Sequence, residues 1–273
     1  MPKPERTFRT DAVILRRQDF GEADRLLVLL TPEHGKFRAI AKGARKPIAR
    51  KTGHVELFAL VDMLIARGRE LHIVTQAETR DPFLALREDL VRSTYANHLV
   101  ELLDRLTTDH DTSRAEFDLL VSALGWLCSD VDPRLAARYY ELRLLALAGF
   151  APSLHYCSIG QEAIAAQDQF FSPADGGVIC PDHRAGSERG SPLTLNALKT
   201  LRYMQTRSWD AVQVLHLNGA LHLELERHLL AYLVYVLEQR LQSVAFLQRL
   251  RREQADHNNP GGTDNRPNQD DAG

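Results

Sequence analysis

The chain has 273 residues and 30.8 kDa, with 44% hydrophobic and 26% charged residues, a globular composition long enough for one large domain or two smaller ones. A mean hydropathy of −0.29 with no long apolar run excludes a membrane span, and the start, Met1-Pro-Lys-Pro-Glu-Arg6, lacks the apolar stretch of a secretory signal. Three cysteines (Cys128, Cys157 and Cys180) suit a reducing cytoplasm better than a disulfide framework. The net charge of −2 hides an asymmetry: residues 1–80 carry 16 Lys and Arg against 10 Asp and Glu, whereas residues 81–273 carry 18 against 26.

In chain order, residues 12–17 read as a first strand, followed by a turn at Asp19-Phe-Gly-Glu22 and a second strand over 24–31. After the turn Pro32-Glu-His-Gly35, residues 36–42 alternate, with Phe37, Ala39 and Ala41 on one face and Lys36, Arg38 and Lys42 on the other. A polar loop leads to a strand over 55–66, a tight turn at 67–69 and a last strand over 71–77. Five short strands predict a small barrel, because closure removes unpaired edges. A five-stranded meander and an SH3-like barrel fit the pattern equally well.

Beyond Asp81-Pro82 the period becomes helical. Leu86, Leu90, Leu99, Leu102, Leu103 and Leu106 share that spacing, as do Phe117, Leu120, Val121, Leu124 and Cys128, the last read as a core thiol. A third set, Leu135, Tyr139, Leu142 and Leu145, ends at Gly149 as a helix stop. Further helices are expected over 194–205 and 221–250, around a Gly-, Pro- and Ser-rich, non-helical insert at about 150–192. The predicted division is a barrel domain over 1–81, a helical domain over 82–250 containing the insert, and a disordered polar tail over 251–273.

The strongest functional signal is the basic loop. Between Gly35 and His54 stand Lys36, Arg38, Lys42, Arg45, Lys46, Arg50 and Lys51, with no acid among them. A run of one sign repels itself unless a polyanion neutralises it, which points to phosphate backbones bound with counterion release. Arg16, Arg17 and Arg25 are candidates to extend this patch. Phe20 and Phe37 are the nearest aromatics for base stacking, but Phe37 lies on the apolar side of its strand, and Phe8 and Phe58 are read as core like it.

A second constellation is Cys157 with Cys180-Pro-Asp-His183, half of a zinc-ribbon-like ligand set. A Cys-x-x-Cys pair would place the fourth ligand at position 160, which is Gly160, and the substitutes His155 and Asp182 lie off the standard spacing. Three ligands without a fourth lead to the expectation of no metal. Enzyme signatures are missing: there is no phosphate-cradling glycine loop, no nucleophile elbow and no His-Glu-x-x-His. His216, His222 and His228 are each six apart and point in different directions around a helix, while Asp130, Asp132, Glu224 and Glu226 read as surface and capping positions. A metal-dependent hydrolase would need a completed ligand set.

The order Arg16…Gly21-Glu-Ala-Asp24…Leu29-Leu-Thr31…Gly35…Ala41-Lys-Gly-Ala-Arg45, followed by Leu57-Phe58, resembles the bacterial RecO family of recombination mediators. Gly149-Phe-Ala-Pro-Ser-Leu154 and Gly177-Val-Ile-Cys180 look like that family's central insert, and the likeness runs over roughly residues 6–250. Many members carry two Cys-x-x-Cys pairs there; Gly160 and His183 hold the second place of each pair in this chain. The resemblance implies an N-terminal OB-fold and a helical C-terminal domain, a DNA repair protein of the RecF pathway, and no catalytic residue or required cofactor. It implies binding of single- and double-stranded DNA, strand annealing, and loading of RecA onto strands coated by the single-stranded-DNA-binding protein. The partners implied are RecR, the acidic C-terminal tail of that coating protein, and often RecF. The competing class is a protein-interaction adaptor with no DNA binding of its own.

Overall fold

The computed structural model describes residues 6–45, 54–69, 71–109, 114–184 and 190–257. Lys46, Arg50, Lys51 and most of the polar tail therefore lie outside the described residues.

Five strands, β1 (Thr7–Phe20), β2 (Asp24–Thr31), β3 (Gly35–Ala41), β4 (Leu60–Ala66) and β5 (His72–Asp81), close a barrel in the order β1-β2-β3-β5-β4. The pairings are antiparallel except for a short parallel contact of β3 with β5. That crossover is the OB arrangement and excludes a simple meander. The first strand is twice the expected length: residues 7–13 pair with β4 and residues 13–20 with β2. Its ends escaped the pattern because residues 16–20 are exposed and polar-rich, so no alternation marks them. The fourth strand starts at Leu60 rather than residue 55, since Phe58 sits at φ 67°, which breaks extended backbone.

Four consecutive residues of β1, Ala12 to Leu15, are buried, and a bulge between Ile14 and Arg16 ends the run. Ala12 and Ile14 join the barrel interior with Leu27, Leu29, Phe37, Met63 and Ile65, whereas Val13 and Leu15 belong to the helical core outside it. The barrel thus has two apolar faces along this edge, and the outer one packs on helices.

Those helices are α1 (Ala85–Glu88), α2 (Leu90–Leu106), α3 (Arg114–Cys128) and α4 (Pro133–Leu147). Asp89 caps α2 by accepting from the Val91 and Arg92 amides at 2.8 and 3.1 Å, and Asp132 caps α4 through the Arg134 amide at 2.9 Å. Leu90, expected on the apolar stripe, is 83% exposed because α2 begins there, after the break at Asp89. Gly149 follows α4 at φ 82°, the left-handed stop its sequence position predicts.

The insert is ordered by its own small sheet. Strands β6 (Gln169–Ser172), β7 (Gly177–Ile179) and β8 (Ser191–Leu193) line up as β7-β6-β8, with the single-turn helix α5 (Pro181–Arg184) after β7. Phe171 buries against His228 and Tyr232, which ties this sheet to the last helix. Helices α6 (Leu195–Thr206), α7 (Trp209–Val212) and α8 (Gly219–His257) complete the chain. Glu224 is not a free surface acid: it accepts from the Thr194 amide and hydroxyl at 2.7 and 2.8 Å, closing the start of α6 onto α8.

Candidate nucleic-acid interface and candidate metal centre

The barrel register sets the cations in rows. Arg16 of β1 is opposite Val28 of β2, and Val28 is opposite Arg38 of β3; the next row runs Gln18, Leu26, Ile40. Two arginines therefore flank an apolar strip across three strands. Arg16, Arg17, Gln18, Leu26, Val28 and Arg38 line a cleft of 220 Å³ on the outer wall of the barrel.

The cations differ in their partners. Arg38 and Lys42 are exposed and enter no ion pair among the described residues. Arg16 is 62% exposed yet reaches Asp104 of α2 at 2.7 Å. Arg17 and Arg25 share the Glu56 carboxylate, Arg25 at 3.1 Å. Arg45 lies 3.4 Å from Asp19 and donates its amide to the Ala23 carbonyl. The barrel cations are thus partly neutralised in space by acids from elsewhere in the sequence: within the basic run Asp19 meets Arg45 and Asp104 meets Lys36, while Glu56 and Asp104 hold the flanking Arg17, Arg25 and Arg16. Exposed pairs of this kind are each worth only about 0–1 kcal/mol and are screened by salt, so Arg16, Arg17 and Arg45 can exchange a carboxylate for a phosphate at little cost.

Lys36 is the exception, and it corrects the sequence-based set. It is 6% exposed, and its Nζ donates to the Asp104 carbonyl at 2.7 Å, the Asp104 carboxylate at 2.9 Å and the Thr107 carbonyl at 3.1 Å. Asp109 lies 3.6 Å away. Each ammonium proton faces an acceptor at the C-terminal end of α2, where the helix dipole is negative. Lys36 holds the barrel to the helices and cannot meet a phosphate. Among the aromatics, Phe37 and Phe58 are core, Phe8 packs edge-on to Phe37, and Phe20 remains exposed at the tip of β1.

The insert carries the second site. One ligand-capable atom from each of Cys157, Glu162, Cys180 and His183 lies within 4.8 Å of the others. His183 Nδ1 is 3.7 Å from the Cys157 sulfur, 3.1 Å from the Cys180 sulfur and 3.1 Å from Glu162 Oε1, and the Cys180 thiol donates to the same oxygen at 2.9 Å. The Cys180 hydrogen bond, ahead of the backbone and Cys157 contributions, holds the Glu162 carboxyl down to about 2. Burial, and then that same bond, pushes the Cys180 thiol up to about 11. Neither Gly160, His155 nor Asp182 completes the set; Glu162 does, and no spacing rule marks it. Its position follows from a tight loop in which the Cys157 amide donates to the Glu162 carbonyl at 2.8 Å and Gln161 turns at φ 64°. The four residues form a group of metal-binding type, with two thiols, an imidazole and a carboxylate, all donor types that zinc accepts.

Among the described residues, no helix is long and apolar enough to cross a membrane. Residues 5–83 match the family profile described as "Recombination protein O N terminal", and residues 87–245 match "Recombination protein O C terminal". Among curated proteins, the DNA repair protein RecO of Roseiflexus sp. (strain RS-1) is 40% identical over 247 residues, 90% of this chain and 87% of that protein. The DNA repair proteins RecO of Dehalococcoides mccartyi (strain ATCC BAA-2266 / KCTC 15142 / 195) and Symbiobacterium thermophilum are 36% and 37% identical, covering 92% and 89% of this chain and 99% and 98% of their own lengths. With both halves of the profile matched in order, and the closed five-stranded barrel preceding the helices as the motifs implied, the chain belongs to the RecO family of DNA repair proteins.

Proposed function

We propose that this protein binds single- and double-stranded DNA through its barrel without reading bases. By doing so it anneals complementary strands and helps load RecA onto strands coated by the single-stranded-DNA-binding protein. The division of labour follows the division of charge, with a barrel domain over residues 1–81 and a net acidic helical domain that meets protein partners: RecR, the tail of the coating protein, and often RecF. The observation that carries the DNA reading is the register row Arg16–Val28–Arg38, which sets cations on both banks of an apolar strip beside the exposed Lys42. Cations so spaced neutralise successive phosphates, while bases are left free to pair with a second strand. No step requires a catalytic residue, because screening of strand–strand repulsion and base pairing supply the driving force. The cytoplasm, where the nucleoid lies, is the expected setting.

The test is a salt titration of oligonucleotide binding by two charge-neutral variants of the full chain. One combines Arg16→Gln, Arg38→Gln and Lys42→Gln; the other neutralises Arg45, Lys46, Arg50 and Lys51. Each lost phosphate contact flattens the log–log salt slope on single strands by about 0.7, so the triple variant loses up to about 2 in slope. The loss is the same across unrelated sequences. Unchanged affinity of both variants at low salt would leave the adaptor reading in its place.

A further inference from the structure

We propose that Glu162 is the fourth ligand of a tetrahedral zinc site with Cys157, Cys180 and His183, standing in for the side chain that Gly160 lacks.

The two departures from a paired-cysteine pattern are sterically one. A Cβ built on Gly160 would lie 2.1 Å from Glu162 Oε2 and 2.2 Å from His183 Cε1. The carboxylate and the imidazole therefore occupy the room that a side chain at position 160 would need. A cysteine there excludes the observed placement of Glu162, and a glycine there permits it. The donor atoms also match the size of a zinc coordination sphere. With zinc–sulfur and zinc–nitrogen bonds of about 2.3 and 2.0 Å, a tetrahedron has ligand–ligand edges of about 3.3–3.8 Å. The four hydrogen-bonded separations run from 2.9 to 3.7 Å and all four donor atoms lie within 4.8 Å of one another, close enough for an ion to gather them with small side-chain shifts.

The electrostatics agree. Two thiolates, one carboxylate and a neutral imidazole bring three negative charges to a divalent ion, one fewer than four thiolates, so the closed site carries −1 instead of −2. Both cysteines are buried, while Glu162 and His183 face outward, so the ion seals the outer side of a pair of thiols already held in the core. Its role is structural. The loop holding Cys157 and Glu162 is pinned to α5, which follows β7, and the Ser158 amide already donates to the Val178 carbonyl at 2.8 Å. Zinc would close that loop from the other end and fix the three-stranded sheet against α8.

The experiment titrates the full-length reduced protein with cobalt(II) as a spectroscopic probe, then measures zinc affinity by chelator competition. The wild type takes up one cobalt per chain, with the visible bands of a tetrahedral ion and sulfur-to-cobalt charge transfer from two thiolates. Loss even of an outer-shell partner typically weakens metal binding by 10–100-fold, so Glu162→Ala weakens it roughly tenfold or more. The triple variant Gly160→Cys, Glu162→Ala and His183→Cys, which removes both side chains that crowd position 160, restores the affinity, and its charge-transfer intensity rises to that of four cobalt–sulfur bonds. That rescue separates a lost ligand from a misfolded insert. A wild type that takes up no cobalt would overturn the site. Glu162→Ala with unchanged affinity and spectrum, or a triple variant that gains no charge-transfer intensity, would overturn the role of Glu162.

Discussion

Replacing Lys36 with methionine separates the two jobs that its position in a basic run confuses. Methionine keeps most of the buried stem and removes only the ammonium. That ammonium makes three donor contacts, at 2.7, 2.9 and 3.1 Å, to the Asp104 carbonyl, the Asp104 carboxylate and the Thr107 carbonyl. Removing one partner of a buried pair generally costs about 3–5 kcal/mol. Here Asp104 keeps Arg16 at 2.7 Å, so its carboxylate is not left unpaired, and a loss of about 2–4 kcal/mol is expected. For a chain of this size each kcal/mol moves Tm by about 2–4 °C, which puts the melting shift between about 4 and 16 °C. Because Lys36 joins β3 to α2, the barrel and the helices should also begin to melt apart, broadening the transition. Affinity for oligonucleotide, measured well below the transition, should match the wild type in value and salt slope. A variant that melts like the wild type but binds DNA with a flatter slope would refute the assignment of Lys36 as a clamp.

Glu56→Gln releases Arg17 and Arg25 from a shared carboxylate and should raise oligonucleotide affinity a few-fold at low salt, with stability changed by about 1 kcal/mol or less; weaker binding in a mobility-shift titration would count against the cleft. A pH dependence should arise in the helical domain. Burial, then Arg134, lowers the pKa of His222 below its ordinary 6.5, and burial, then Arg227, does the same for His228. Both rings are therefore neutral in the fold, and their contribution to stability is complete above pH 6.5 and declines as pH falls below it. Urea midpoints measured between pH 7.5 and 5.5 should drop, and His228→Gln should flatten the dependence; equal midpoints in the wild type across that range would exclude it.

What could be read from the sequence was whatever is local or periodic. The alternation of Phe37, Ala39 and Ala41 gave β3 and its inward face, and the leucine spacing gave α2 to α4, because one-sided burial imposes a period of 2 on a strand and 3.6 on a helix. Lys36 could not be assigned in the same way. On the strand it is simply the outward neighbour of Phe37, and only the packing of α2 against that outer wall turns an outward position into a buried one. The four-residue apolar run in β1 has the same origin, since a barrel wall covered by helices has no polar face to alternate with. Glu162 escaped for a different reason: it stands five residues from Cys157, and its carboxylate reaches the cluster through a left-handed turn at Gln161.

The pairing of arginines with Asp19, Glu56 and Asp104 bears on how such a protein can both hold a strand and release it. A groove of bare cations would bind phosphates tightly and surrender them slowly, yet annealing requires each strand to leave the protein once it has found its complement. Arginines resting on carboxylate partners give back much of what a phosphate offers, because a carboxylate must be displaced for every phosphate gained. On the proposed reading, net affinity would be set by Arg38 and Lys42, which enter no ion pair among the described residues, while Arg16, Arg17 and Arg45 would add to it only where phosphate density is high. Two strands brought together would present that density, so the paired arginines would engage when a second strand joins the first. On the proposed reading, the acids of the barrel rim and of α2 would belong to the binding surface as much as the arginines do.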